Sequence, residues 1–326
     1  MRIFKQLLPL IAGFALFLCF NALMNYLIIP NQFTRVKIHR IETGTYEDLI
    51  LGSSHGNAAI NPAVLSEKTG RSGYNAAAGG QCPVDNYYLL KDALREHDVK
   101  RVILEYDPSY WLFHDSFNGT ARYQLSQMAP STVRLAYFAE LCLPGDLRYV
   151  FLPWTLYDVY PARMKANLEK KKSSAYLNYE TTPFTDDTQT FHEDGFMELK
   201  DFAVGNMSTP ELSFDEKMSY VEENRTWFER IIKLCLKRGI EVIVVTTPVP
   251  GETLKKNAAF YAEAHEMMEA LLAPYGVRYL DFAAPKETDE TAPCAGRWDG
   301  GDFSDGEGHM RGSAAGDFSH VLAELL

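Results

Sequence analysis

Residues Leu7 to Ile29 form an unbroken run without a single charge, LLPLIAGFALFLCFNALMNYLII. As a helix such a run extends about 34 Å, enough to cross the hydrocarbon core of a bilayer. Arg2 and Lys5 precede it, so the N-terminus is expected to stay cytoplasmic and the remainder to be exported. Arg35, Lys37 and Arg40 follow it and reduce that asymmetry. A cleaved signal peptide is the alternative, but the run is long for one and no small-x-small cleavage site lies near its end. Cys19 follows Phe17 and Leu18, which are too large for a typical lipoprotein cleavage site. The expected organisation is an anchor over residues 1–30, a stem over 31–47 and a domain over 48–326.

Within that domain, short apolar runs alternate with helical stretches. The strands are expected at DLILG (Asp48 to Gly52), GYNAAA (Gly73 to Ala78), KRVILEYD (Lys100 to Asp107), EVIVVTTP (Glu241 to Pro248) and VRYLDFA (Val277 to Ala283). Between them, Asn61-Pro62 reads as a helix start and Gly70 as its stop. Asp85 to His97, Met218 to Arg238 (closed by Gly239) and much of Glu252 to Tyr275 read as helices, with a last helix from Gly312 to Leu326. Such alternation implies an α/β domain, a parallel sheet between two layers of helices. The rhythm fails over residues 112–215, an aromatic-rich insertion expected either to cap a site or simply to cover apolar surface. It contains Lys170-Lys171-Lys172, read as a solvated face, and FHEDGFMELKDFAVG, read as a hairpin turning near Gly195.

A net charge of −11 argues against nucleic acid as partner. There is no P-loop, no Gly-x-Gly-x-x-Gly after a strand, no Cys-x-x-Cys and no His-Glu-x-x-His, and no cluster has metal-ligand spacing, so neither cofactor nor metal is expected. Of the five cysteines, Cys19 lies in the apolar run and Cys235 on an apolar helix face, as a buried thiol would. Asn118, Asn206 and Asn224 stand in glycosylation sequons, which matter only in a host that uses them.

The carboxyl ends of parallel strands line one edge of a sheet, where ligands bind. Ser53 and Ser54 end the first strand, Gly79 and Gly80 the second, and Asp107 the third, while Asp305 and His309 follow the fifth. A serine needs a neighbouring base, and the base a group that orients it. Ser54, His309 and Asp305 can fill those three roles. Ser54 could instead cap the following helix, and Ser53 reads as structural. His55 directly follows the serine, and adjacent side chains usually diverge. Cys82 reads as a buried small residue, and Asp107 before Pro108 suits a turn as well as a site.

These blocks resemble the SGNH (GDSL-like) hydrolase superfamily. Gly52-Ser53-Ser54 stands where that family has Gly-Asp-Ser, YNAAAGG resembles its second block and DFSDGEGHMRGSAAGDFSHVLAEL its last. The Gly-Ser-Ser form is similar to membrane-anchored proteins of the D-alanyl-lipoteichoic-acid transfer group. The resemblance spans residues 48–110 and 218–326. It implies a three-layer, flavodoxin-like sheet with Ser54 as nucleophile, Gly80 as oxyanion donor and His309 as base. Two departures stand out. Asp305 lies four residues before His309 rather than three, a difference Gly306 and Gly308 can absorb, with Glu307 or Asp302 as substitutes. LEYDPSYW replaces the block bearing the family's asparagine, and Asp107 there is a poor oxyanion donor because an ionised carboxylate only accepts. The oxyanion hole then rests on the amides of Ser54 and Gly80.

The resulting expectation is an extracytoplasmic serine esterase or O-acyltransferase. Its substrates would be acyl esters, acetyl among them, of a cell-envelope glycan or polysaccharide. The alternative is a catalytically weak or inactive accessory of an envelope polysaccharide assembly complex, docked to a membrane partner protein. Asn21 and Asn25, four apart in the apolar run, could then bond to a partner helix.

Overall fold

The computed structural model describes residues 2–112, 119–142, 151–201, 205–215 and 217–326. Five parallel strands form the main sheet: β1 (Asp48–Leu51), β2 (Gly73–Asn75), β3 (Arg101–Glu105), β6 (Glu241–Thr246) and β7 (Arg278–Asp281), after the insertion's own β4 (Gln189–Phe191) and β5 (Met197–Leu199). Their order is β2-β1-β3-β6-β7, so β1 and β3 lie side by side at the point where the winding reverses. The register sets Leu49 against Tyr74 on one side and Val102 on the other, and Val102 against Val242.

Each strand alternates between two cores. Leu49, Leu51, Val102, Leu104, Val242 and Val244 face one core, shared with α2 (Phe33–Thr43), α5 (Pro83–Glu96), α9 (Met218–Arg238) and α11 (Ala258–Leu272). Ile50, Ile103, Ile243 and Val245 face the other, where Ala59, Leu65, Phe318 and Leu322 cover the sheet from α3 (Ser54–Ala59), α4 (Pro62–Thr69) and α12 (Gly312–Leu325). Strands buried on both faces carry apolar residues at both parities, hence the unbroken runs in the sequence. At the amino edge, buried Arg101 pairs with buried Asp48 and donates to the Leu326 carbonyl at 3.3 Å, tying the last helix to β1 and β3.

The apolar run lies in α1 (Arg2–Ile28), of which Leu7–Ile28 is long and apolar enough to cross a membrane. The stretch read as a stem is not a free tether. Residues 33–43 form α2, with Val36, Ile38 and Ile41 buried. Its charges hide that face in the sequence, because Lys37 is itself buried and donates to the Ala77 carbonyl.

The insertion spreads over several surfaces. α6 (Gly119–Gln127) and α7 (Thr132–Cys142) pack on α2 and α5, and α8 (Pro161–Lys171) packs along α1. Lys171, expected on a solvated face, is buried and donates to the carbonyls of Tyr26 and Ile29, while Asn167 donates to those of Leu27 and Ile28. These bonds satisfy carbonyls that a helix end leaves without partners. Asn21 and Asn25, expected to be open to a partner helix, are engaged within the chain: Asn21 accepts from the Trp154 indole at 3.0 Å and Asn25 from the Trp154 amide at 3.1 Å. The β4–β5 hairpin turns at Gly195 as read, and its Asp194 carbonyl accepts from Asn75 of edge strand β2 at 2.8 Å. Residues 205–208 lie against the loop that carries Asp305.

Cys19, Cys82, Cys235 and Cys294 form no disulfide, and burial pushes the Cys235 thiol up to about 12. The Asn224 side chain is buried and donates to the Trp111 carbonyl, so that sequon is not on the surface. Asn118 and the side chain of Cys142 lie outside the described residues.

Candidate active site

Strand β1 ends at Leu51, and the chain turns through Gly52 and Ser53 into α3. Ser53, not Ser54, caps that helix: its Oγ accepts from the His55 amide at 3.2 Å. Ser54 is therefore the first helical residue, with an amide that has no acceptor inside the helix. The turn is held from below. The Ser53 amide donates to Glu105 Oε2 at 2.6 Å, the Gly52 amide to Asn86 Oδ1 at 3.1 Å, and Gln81 Nε2 to the Gly52 carbonyl at 3.1 Å. Glu105 fits only because its neighbours lack side chains: a Cβ on Gly52 would stand 2.4 Å from its Oε2, and one on Gly56 2.8 Å from its Cβ.

Ser54 Oγ lies 3.2 Å from the Tyr110 hydroxyl, and the Gly80 amide donates to that same hydroxyl at 3.0 Å. Tyr110 comes from a short 3-10 turn, Pro108–Leu112, just beyond β3. A single oxygen thus sits within hydrogen-bond reach of both the proposed nucleophile and the proposed oxyanion donor.

His309 and Asp305 form a pair despite their four-residue spacing, with Nδ1 2.7 Å from Asp305 Oδ2. Gly308, at φ +122°, makes the turn that closes it. Asp305 Oδ1 accepts from the amides of Glu307, Gly308 and His309. Burial alone would raise this carboxyl, but the bonds to His309 and the backbone hold it well below the usual carboxylate range. The proposed substitutes serve elsewhere. Asp302 accepts from the Asp299 amide at 2.9 Å, and Glu307 is exposed.

Asp107, weighed as a doubtful oxyanion residue, acts as an acceptor. It is no oxyanion donor: its Oδ1 accepts from the amide and hydroxyl of Ser109, and its Oδ2 lies 2.9 Å from His55 Nδ1. His55, expected to point elsewhere, joins the site. It is buried, and its ring meets that of His309 edge to face with 4.6 Å between centroids. Burial alone would depress the imidazole, but the carboxylates of Asp107, then Glu105 and Asp305, lift it to about 9. Burial and the charge of Asp107 in turn push Glu105 up to about 7, against the pull of His55 and Ser53. His55 pulls Asp107 down against the effect of its own burial.

The four residues selected from the sequence, Ser54, Gly80, Asp305 and His309, therefore gather at the carboxyl edge, and His55, Glu105 and Tyr110 join them. A signal for Glu105 was available: a charge directly after the apolar Val102-Ile103-Leu104 of β3. Among the described residues, no hydrogen bond joins Ser54 to His309; the serine's bond goes to Tyr110. No protein-family model and no curated protein matches the chain.

Proposed function

We propose that the protein is a membrane-anchored serine esterase or O-acyltransferase of the SGNH type, acting outside the membrane on acyl esters of cell-envelope glycans. The observation that carries this reading is the Tyr110 hydroxyl, 3.2 Å from Ser54 Oγ and 3.0 Å from the Gly80 amide. It stands where the carbonyl oxygen of an ester would lie, facing a nucleophile and a backbone donor. In this reading an incoming ester takes that place and Tyr110 withdraws. Ser54 Oγ attacks the carbonyl carbon and passes its proton to Nε2 of His309, whose Nδ1 Asp305 holds at 2.7 Å. The amides of Gly80 and Ser54 bear the oxyanion. Collapse returns the proton to the departing sugar oxygen and leaves an acyl-serine. Water then completes hydrolysis, or a second sugar hydroxyl completes transfer. In this reading α1 spans the membrane with Arg2 and Lys5 on the cytoplasmic side.

Turnover tests this reading. The purified full chain in detergent should release acetate from O-acetylated polysaccharide, and Ser54→Ala should abolish that release. Full activity in Ser54→Ala would overturn the mechanism.

One observation favours a second reading, that of a catalytically weak accessory: Ser54 is hydrogen-bonded to Tyr110 rather than to His309. On that account the protein turns over no acyl ester and co-purifies with a membrane partner.

A further inference from the structure

Far along the sheet, α11 and the loop after β7 bring three side chains together. His265 and Glu269 lie one turn apart on α11, and Asp289 approaches from the loop. His265 is only 2 % exposed, yet its Nε2 has no hydrogen-bond partner among the described residues. It faces Glu269 Oε1 at 3.5 Å and Asp289 Oδ2 at 3.6 Å. Both separations are too long for good hydrogen bonds. They are close to the spacing of two ligands on one tetrahedral zinc ion, about 3.4 Å for bonds of about 2.1 Å. The three ligand atoms all lie within 4.8 Å of one another.

The surroundings match such a site. His265 Nδ1 lies 2.7 Å from Asp281 Oδ2, the carboxylate contact that typically orients a metal-bound imidazole and leaves the Nε2 lone pair outward. Asp281 is fixed in its turn, since its Oδ1 accepts from the amides of Ala283 and Ala284. Glu269's other oxygen, Oε2, accepts from Lys286 Nζ, and Asp289 Oδ2 accepts from the Lys286 amide at 2.7 Å. The Glu269 side chain is 45 % exposed, which leaves an entry path and room for a water as fourth ligand.

We infer that His265, Glu269 and Asp289 form a binding site for a divalent transition-metal ion, zinc by ligand type, oriented by Asp281. One imidazole and two carboxylates suit zinc better than calcium or magnesium, which favour oxygen alone. The sequence hid the site because its third ligand comes twenty residues after Glu269, on another element. The ion would fasten α11 to the start of the 282–311 loop, whose far end bears Asp305 and His309, and its role would be structural.

The test is zinc titration of the full chain in detergent after stripping with a chelator, followed by calorimetry and, with cobalt as substitute, by visible absorption. One equivalent should bind, with tetrahedral cobalt bands and a raised Tm. Glu269→Gln and Asp289→Asn change side chains that reach solvent and should not prevent folding; each should weaken zinc binding about 10²-fold or more, and Asp281→Asn about 10-fold. Zinc affinity unchanged in both Glu269→Gln and Asp289→Asn, or no zinc-dependent rise in Tm, overturns the inference and leaves His265 as an imidazole packed among three carboxylates.

Discussion

The imidazoles of His55 and His309 meet edge to face, 4.6 Å apart at their centres, and each is held at Nδ1 by its own aspartate. In the proposed mechanism only one of them is the base that serves Ser54. His55 is buried and kept protonated to about 9, which unsuits it to accept a proton near neutrality, whereas His309 is partly open to solvent. His309→Ala should therefore lower kcat/KM for ester hydrolysis by at least about 10³-fold, and Asp305→Asn by about 10²-fold or more. Steady-state kinetics on an O-acetylated sugar check both, and a His309→Ala enzyme with normal kcat/KM would count against the assignment.

In the proposed mechanism Tyr110, bonded to the Ser54 hydroxyl and the Gly80 amide, competes with substrate for both. Tyr110→Phe removes the oxygen and keeps the ring. Losing a hydrogen bond of about 1 kcal/mol should expose the serine and speed its acylation by about 5-fold. Stopped-flow measurement of the acylation rate reads this directly. A slower rate would make the hydroxyl a participant in the reaction rather than a stand-in for substrate.

His55 makes stability depend on pH in a defined direction. Its folded value, about 9, lies above its ordinary 6.5, so its contribution is complete below 6.5 and is lost as pH rises through about 9. The span corresponds to at most about 3 kcal/mol. Thermal melts of the wild type should decline across that window. The double variant His55→Gln with Asp107→Asn, an uncharged pair of similar size, should be flatter there. Parallel curves would remove the ion pair from the account.

Gly52→Ala should fold poorly. The new methyl would stand 2.4 Å from Glu105 Oε2, the same oxygen that accepts from the Ser53 amide. Overpacking of this kind costs about 1–3 kcal/mol. Chemical denaturation checks the loss, and shortening the acid in Glu105→Ala should restore part of it.

Strands β1, β3 and β6 were legible as short apolar runs, because burial on both faces leaves residues 49–51, 102–104 and 242–245 without a polar interruption, whereas β2 (Gly-Tyr-Asn) and β7 (Arg-Tyr-Leu-Asp) were marked more by the helix and glycine signals around them. Helix α2 was not legible, since its inward face includes Lys37, whose Nζ donates to the distant Ala77 carbonyl. The gathering of Ser54, Gly80, Asp305 and His309 at one edge was legible because the carboxyl ends of parallel strands converge there, with Gly80 singled out by resemblance alone. His55 was set aside on the rule that adjacent side chains diverge. That rule suits strands, whereas here the chain turns helical at Ser54, and neighbours only 100° apart on a helix can both reach one edge. The role of Asp107 depended on that placement, because its partner lies 52 residues earlier and neither residue marks the pairing locally.

The central claim is that Ser54 is an activated nucleophile. Treating the full chain in detergent with a fluorophosphonate probe, and mapping the adduct by mass spectrometry, tests it most directly. The account predicts a single label on Ser54, lost in Ser54→Ala and strongly slowed in His309→Ala. No label on folded protein, or equal labelling with and without His309, would contradict it and favour the accessory reading.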